Sequence, residues 1–120
     1  MIGVFKNVAM HIPDAKLVIL GEGDKKAYLQ DLISKLNLNG YICLMGYKEN
    51  PYVYLAYSAG VVFSPVYEGL GNCIVEAMTC GLPVISTDCN AGMRELLAPN
   101  TDFNKSADKM EMEEIWKLQY

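Results

Sequence analysis

The sequence predicts an α/β fold, an open, doubly wound sheet of parallel strands with helices between them. Three observations carry this expectation. Four short apolar runs, each bounded by Gly, Pro or Asp, have the length and the Val, Ile and Leu content of strands. Helical patterns separate them, and strand–helix alternation implies parallel pairing through right-handed crossovers. The runs are near-continuous rather than alternating, which is the pattern of strands covered on both faces.

The elements follow in order. "MIGVFKNVAMHIPD" (1–14) reads as an apolar helix with His11 at its end, where a surface or helix-end role outweighs a catalytic one. "KLVILG" (16–21) is the first strand. Leu29, Leu32, Ile33 and Leu36 then recur at i, i+3, i+4 and i+7, one face of a helix. Asp24 is placed to cap its start, and Gly40 to close the connection. "YICLMG" (41–46) is the second strand. "NPYVYLAYS" (50–58) reads as a short helix with Asn50 as N-cap and Pro51 at its first position, its tyrosines 52, 54 and 57 packing with polar tips. "GVVFSP" (60–65) is the third strand, and "NCIVEAMTCG" (72–81) a helix closed by Gly81, with Pro83 forbidding continuation. Met78 and Cys80 on that helix are expected in the core. "PVISTD" (83–88) is the fourth strand and "GMRELLA" (92–98) the next helix. Past Pro99 the pattern decays. Met112, Ile115 and Trp116 fit either an amphipathic helix or a disordered tail.

A chain of 120 residues is one domain's worth of sequence. The net charge of −4, without a cluster of Lys and Arg, argues against a nucleic-acid surface. The four cysteines form no C-x-x-C pair, so each is expected in or beside a strand or helix, packed as a small hydrophobe in a reduced, cytoplasmic setting. No stretch approaches the ~18 apolar residues of a membrane span, which leaves only peripheral membrane attachment open.

The chemistry concentrates in "VYEGLGNCIVEAMTCGLPVIST" (66–87). Open sheets bind ligands outside the carboxyl ends of their strands. Here that edge is residues 21–24, 46–50, 65–72 and 87–92. Gly69 and Gly71 let a ligand approach the backbone closely. The helix behind them presents first-turn amides and about half a positive charge, so Gly71, Asn72 and Cys73 suit a phosphate oxygen. Glu76 stands four residues past Asn72, about 6 Å along the axis. A carboxylate at the helix tip would repel phosphate; one turn further on, it can accept from neutral hydroxyls such as a ribose diol. Glu68, across the glycines, can accept from a second polyol. Taken singly, each glutamate reads equally well as a solvated helix or turn residue. The pair also admits a glycosidase reading, acid and nucleophile across a cleft, but a glycine loop between the carboxylates favours ligand cradling. "GEG" (21–23) opens like a dinucleotide fingerprint, yet Lys26 stands where its last glycine belongs.

Residues 68–88, E-G-L-G-N-C-I-V-E-A-M-T-C-G-L-P-V-I-S-T-D, resemble the E-x7-E signature of retaining, two-domain GT-B fold glycosyltransferases, the glycosyl transferases group 1, family four. "IPDAKLVILGEG", "LMGYKENPYVYLAYS", "VVFSPVYEGLGN" and "GMRELLAPNTDF" resemble the carboxyl-terminal, donor-binding domain of the same family, over about residues 3 to 104. The resemblance implies a Rossmann-like nucleotide-sugar-binding domain at 1–104, lacking its first strand, and a divergent tail at 105–120. It implies a UDP- or GDP-linked sugar as donor, with no cofactor and no metal. Glu76 would hold the ribose, and Glu68 would face the transferred sugar as the catalytic carboxylate. The amides of Gly69, Leu70, Gly71, Asn72 and Cys73 would cradle sugar and diphosphate, and Gly46 and Tyr47 would lie near the base. The leaving diphosphate would help accept the nucleophile's proton. The acceptor would be a glycan or lipid-linked sugar, in polysaccharide biosynthesis at the inner face of the membrane.

Some family features do not occur in these residues. The acceptor domain and the basic "G-R-L…K" segment that neutralises the diphosphate are missing, and Met93 stands where relatives often carry Pro. Arg94, the only arginine, serves either the phosphates or a helix-surface salt bridge. The expectation is therefore a donor-binding half, inactive alone and completed by an amino-terminal domain protein. Its rivals are a non-catalytic remnant or interaction module of the same fold, and a sugar-nucleotide epimerase relative.

Overall fold

The computed structural model describes residues 1–67, 69, 71–102, 104 and 105. Glu68, Leu70 and the expected helix around Met112–Trp116 lie outside the described residues. The chain divides into two compact units, Met1–Pro51 and Tyr52–Tyr120.

The first unit comprises α1 (Ile2–His11), β1 (Leu17–Leu20), α2 (Lys26–Lys35) and β2 (Ile42–Gly46). β1 and β2 pair in parallel, with Leu17 opposite Ile42 and Ile19 opposite Leu44. These four side chains join a core in which Ile2 and Ala9 of α1, Ile33 of α2 and Leu38 are buried. A register irregularity after Ile19 sets Leu20 opposite Gly46. Asp24 does not cap α2. Lys26 N–H donates to the Gly23 carbonyl in a turn, so the helix starts after Lys25 with no side-chain cap bond. Nor is Gly40 the closing residue. Asn37 takes the left-handed conformation at φ 58°, and the Leu38 amide donates to the Ile33 carbonyl at 2.9 Å, a Schellman ending built on Asn instead of Gly. His11 is the last residue of α1, its ring Nδ1 2.8 Å from the Asn7 carbonyl oxygen, which is the helix-end role.

The second unit comprises α3 (Tyr52–Leu55), β3 (Val61–Phe63), α4 (Asn72–Thr79), β4 (Val84–Ser86) and α5 (Ala91–Leu97). β3 and β4 are also parallel, with Val61 opposite Val84 and Phe63 opposite Ser86. α4 is the crossover between them and seats Ile74 and Ala77 in full burial. It ends as its sequence predicts. Gly81 sits at φ 69°, its amide donates to Met78 and that of Leu82 to Ala77. α3 is a single turn, shorter than its sequence pattern suggested.

All four predicted strands form and both pairings are parallel, as a doubly wound α/β fold requires. They pair two and two, β1 with β2 and β3 with β4. Among the described residues, the strands are not covered on both faces. Val18 and Cys43, cross-strand neighbours on the first pair, are both exposed, as are Val62 and Ile85 on the second. Among the described residues, helices cover one face of each pair, so the apolar run alternates in burial although it does not alternate in sequence. Cys43 is therefore not a core cysteine. Tyr57 is 92 % exposed and does not pack as expected, whereas Tyr52 is 47 % exposed. Met78 and Cys80 are half-buried. No helix among the described residues is long and apolar enough to cross a membrane.

Candidate functional site

The glycine segment leaves β3 at Phe63 and delivers the chain to α4. Its outer part, Val66 and Tyr67, is almost fully exposed. Its inner end, Gly71, is buried against the second unit's core: a Cβ there would lie 2.8 Å from a Phe63 ring carbon and 3.0 Å from the Met93 methyl. The sequence suggests a glycine here for close approach of a ligand. Packing independently demands it. At Gly69 a Cβ would meet open space, so the access argument stands there without a packing rival.

α4 begins at Asn72, with Gly71 before it, no side-chain cap and no acidic residue in its first turn. An uncapped helix start without a carboxylate carries the positive end of the helix dipole undiluted. Asn72 is exposed and Cys73 half-buried. Glu76 follows one turn on, also half-buried, so its carboxylate flanks the helix start rather than capping it. Glu68 and Leu70 lie outside the described residues.

Two residues that sequence reasoning did not single out hold this segment. The Thr87 hydroxyl donates to the Pro65 carbonyl at 2.7 Å, and the Asn90 side-chain amide donates to the Gly69 carbonyl at 2.9 Å. Both come from the loop after β4, at the carboxyl edge where an open sheet binds ligands. The other side-chain atom of Asn90, Oδ1, accepts from the Met93 amide and caps α5. Arg94 Nε donates to Asp88 Oδ1 at 2.7 Å, both side chains more than four-fifths buried. The available signal was Asn90 itself, a strong N-cap type just ahead of a helical pattern.

Gly46 and Tyr47 belong to the first unit. Gly46 ends β2 at φ 69°, and its carbonyl accepts from the Gly21 amide at 2.9 Å. The two strand ends frame a cleft of about 230 Å³ lined in part by Gly21, Glu22, Gly23, Lys26 and Gly46. Tyr47 stands beside it, 69 % exposed. No group of His, Cys, Asp and Glu suited to a metal ion occurs among the described residues.

Known proteins share this architecture. The profile of the family "Glycosyl transferases group 1" matches residues 1–111. An uncharacterized glycosyltransferase of Methanocaldococcus jannaschii is 46 % identical over 108 residues, covering 90 % of this chain and 27 % of the relative. The N-acetylgalactosamine-N,N'-diacetylbacillosaminyl-diphospho-undecaprenol 4-alpha-N-acetylgalactosaminyltransferase of Campylobacter jejuni is 45 % identical over 83 residues, 69 % of this chain and 23 % of that one. Among solved structures, S. aureus TarM in complex with Fondaparinux, alpha-GlcNAc-glycerol and UDP superimposes with a TM-score of 0.75 at 29 % identity, over 95 % of this chain and 22 % of TarM. The chain thus spans about a quarter of the length of these proteins, and the match of 111 of its 120 residues to one family profile means that it belongs to the glycosyl transferases group 1 family.

Proposed function

We propose that the chain is the donor-binding domain of a retaining glycosyltransferase, which moves a sugar from a nucleotide-diphosphate donor to a glycan or lipid-linked acceptor. The observation that carries the reading is local. A glycine segment, tied at Pro65 and Gly69, runs into the uncapped start of α4, with Glu76 half-buried one turn along. That arrangement suits phosphate at the helix start and hydroxyl groups at the carboxylate. Glu76 then accepts from the ribose, Glu68 faces the transferred sugar, and the amides of Gly69 to Cys73 receive the diphosphate. UDP on TarM supports a uridine donor over a guanosine one.

These 120 residues bind donor and do not transfer sugar alone. Stabilising a departing diphosphate needs fixed positive charge, and proximity needs an acceptor site. In this reading both come from an amino-terminal domain protein, and the work is done at the cytoplasmic face of the membrane.

Calorimetric titration of UDP and GDP tests the proposal. Hydrogen bonds to a charged group contribute about 1.5–3 kcal/mol, so Glu76→Ala weakens nucleotide binding about tenfold to a hundredfold. Glu68→Ala leaves UDP affinity unchanged and weakens the UDP-sugar. Binding indifferent to Glu76→Ala removes the ribose assignment. One observation favours a second reading, an interaction module: the exposed apolar faces at Val18 and at Val62 with Ile85. A folded chain that binds no nucleotide selects it.

A further inference from the structure

The loop after β4 does two jobs with one side chain. Asn90 accepts from the Met93 amide with Oδ1 at 2.9 Å, which starts α5, and donates from Nδ2 to the Gly69 carbonyl, 21 positions earlier in the chain, also at 2.9 Å. Fixing Oδ1 in the cap fixes the amide plane, and the plane aims Nδ2. The loop itself is braced from both sides. Arg94, one turn into α5, pairs with Asp88, and the Thr87 hydroxyl reaches the Pro65 carbonyl. Thr87 N–H also continues the β3–β4 ladder to the Phe63 carbonyl at 3.1 Å. The segment after β3 is thereby held at Phe63, Pro65 and Gly69 by Thr87 and Asn90 of the loop after β4.

We infer that Asn90 is a positioning residue for the donor site: it couples the start of α5 to the Gly69 backbone and sets the conformation in which the amides ahead of α4 meet a diphosphate. Holding the Gly69 carbonyl restricts the backbone of the segment at that point. A glycine-rich segment left untied samples many conformations, and affinity falls by the fraction of time it spends in the competent one. The inference rests on the proposed donor-binding role, and its test separates the two.

Replacement by Ser or Asp keeps a good helix cap and removes the amide donor. Asn90→Ala removes both. UDP affinity is measured by calorimetry, thermal unfolding reports the cap, and amide hydrogen exchange at Gly69 and Gly71 reports the segment without any ligand. Asn90→Ser is expected to unfold within a few degrees of the parent, to exchange faster at both glycines, and to bind UDP about tenfold more weakly. Asn90→Asp behaves likewise, and Asn90→Ala adds a lowered unfolding temperature. The neutral Ser variant guards against a purely electrostatic loss in the Asp variant. Unchanged exchange at Gly69 and Gly71 in Asn90→Ser overturns the inference, as does unchanged UDP affinity alongside faster exchange. If the parent chain binds no UDP at all, the donor-binding reading fails, and with it the site that Asn90 would position. The exchange result then stands as a fact about the loop alone.

Discussion

Single residues divide the glycine segment into two kinds of glycine. Gly71 is enclosed by Phe63 and Met93, whereas Gly69 faces open space. Adding a methyl group at 2.8 Å from a ring carbon forces that ring or the backbone to shift, and overpacking of this kind costs about 1–3 kcal/mol. Gly71→Ala is therefore expected to lower stability in urea by that amount, while Gly69→Ala leaves the denaturation midpoint close to the parent's. An equal loss from both changes would mean that Gly69 too is structurally confined. Glu76→Ala is the complementary case, expected under the proposed donor-binding role to weaken nucleotide binding and to spare folding. Glu76 is half-buried on a helix whose buried positions are Ile74 and Ala77, so its carboxylate contributes little to the core.

At the level of the element, helix endings follow backbone geometry more than residue type. α4 closes on Gly81 and α2 on Asn37, both in the left-handed region. Gly81 has open space around it, so Gly81→Ala acts through the backbone alone, at about 1–2 kcal/mol for an L-residue held there. Asn37→Ala has a similar cost, because Asn tolerates this conformation better than Ala does. Gly40→Ala is the control. Gly40 lies in open space without a positive φ, and its replacement is expected within about 0.5 kcal/mol of the parent. A loss at Gly40 as large as at Asn37 would return the closing role to Gly40. The core of each element is less forgiving. Ile74 is wholly buried, and Ile74→Ala is expected to cost about 2–5 kcal/mol, enough to unfold a marginal domain.

Considered whole, the molecule carries apolar strand residues that nothing among its described residues covers. Val62 at 49 % and Ile85 at 59 % exposure stand opposite each other on β3 and β4. Paired apolar exposure on a sheet favours association. Threonine keeps the β-branched shape that strands favour, so a Val62→Thr, Ile85→Thr double variant should keep its unfolding temperature within a few degrees and show reduced self-association by light scattering. A collapse in unfolding temperature would mean that this face is internal to the fold.

The sequence by itself determined the number and order of strands, their parallel pairing, the ending of α4 and the family. These depend on local period, chain reversal and a contiguous motif, all of which are written along the chain. It also located the glycine segment and Glu76, because a helix start is a local event. Tertiary structure alone decided the rest. Which strand face is covered depends on where the helices land, and an apolar run reads the same whether one face or two are buried. The link from Asn90 to Gly69 spans 21 positions and follows no periodicity. The Arg94–Asp88 pair depends on the turn after β4, which brings the two within 2.7 Å. Such choices are made by side chains that meet only after the chain has folded, so a linear pattern cannot contain them.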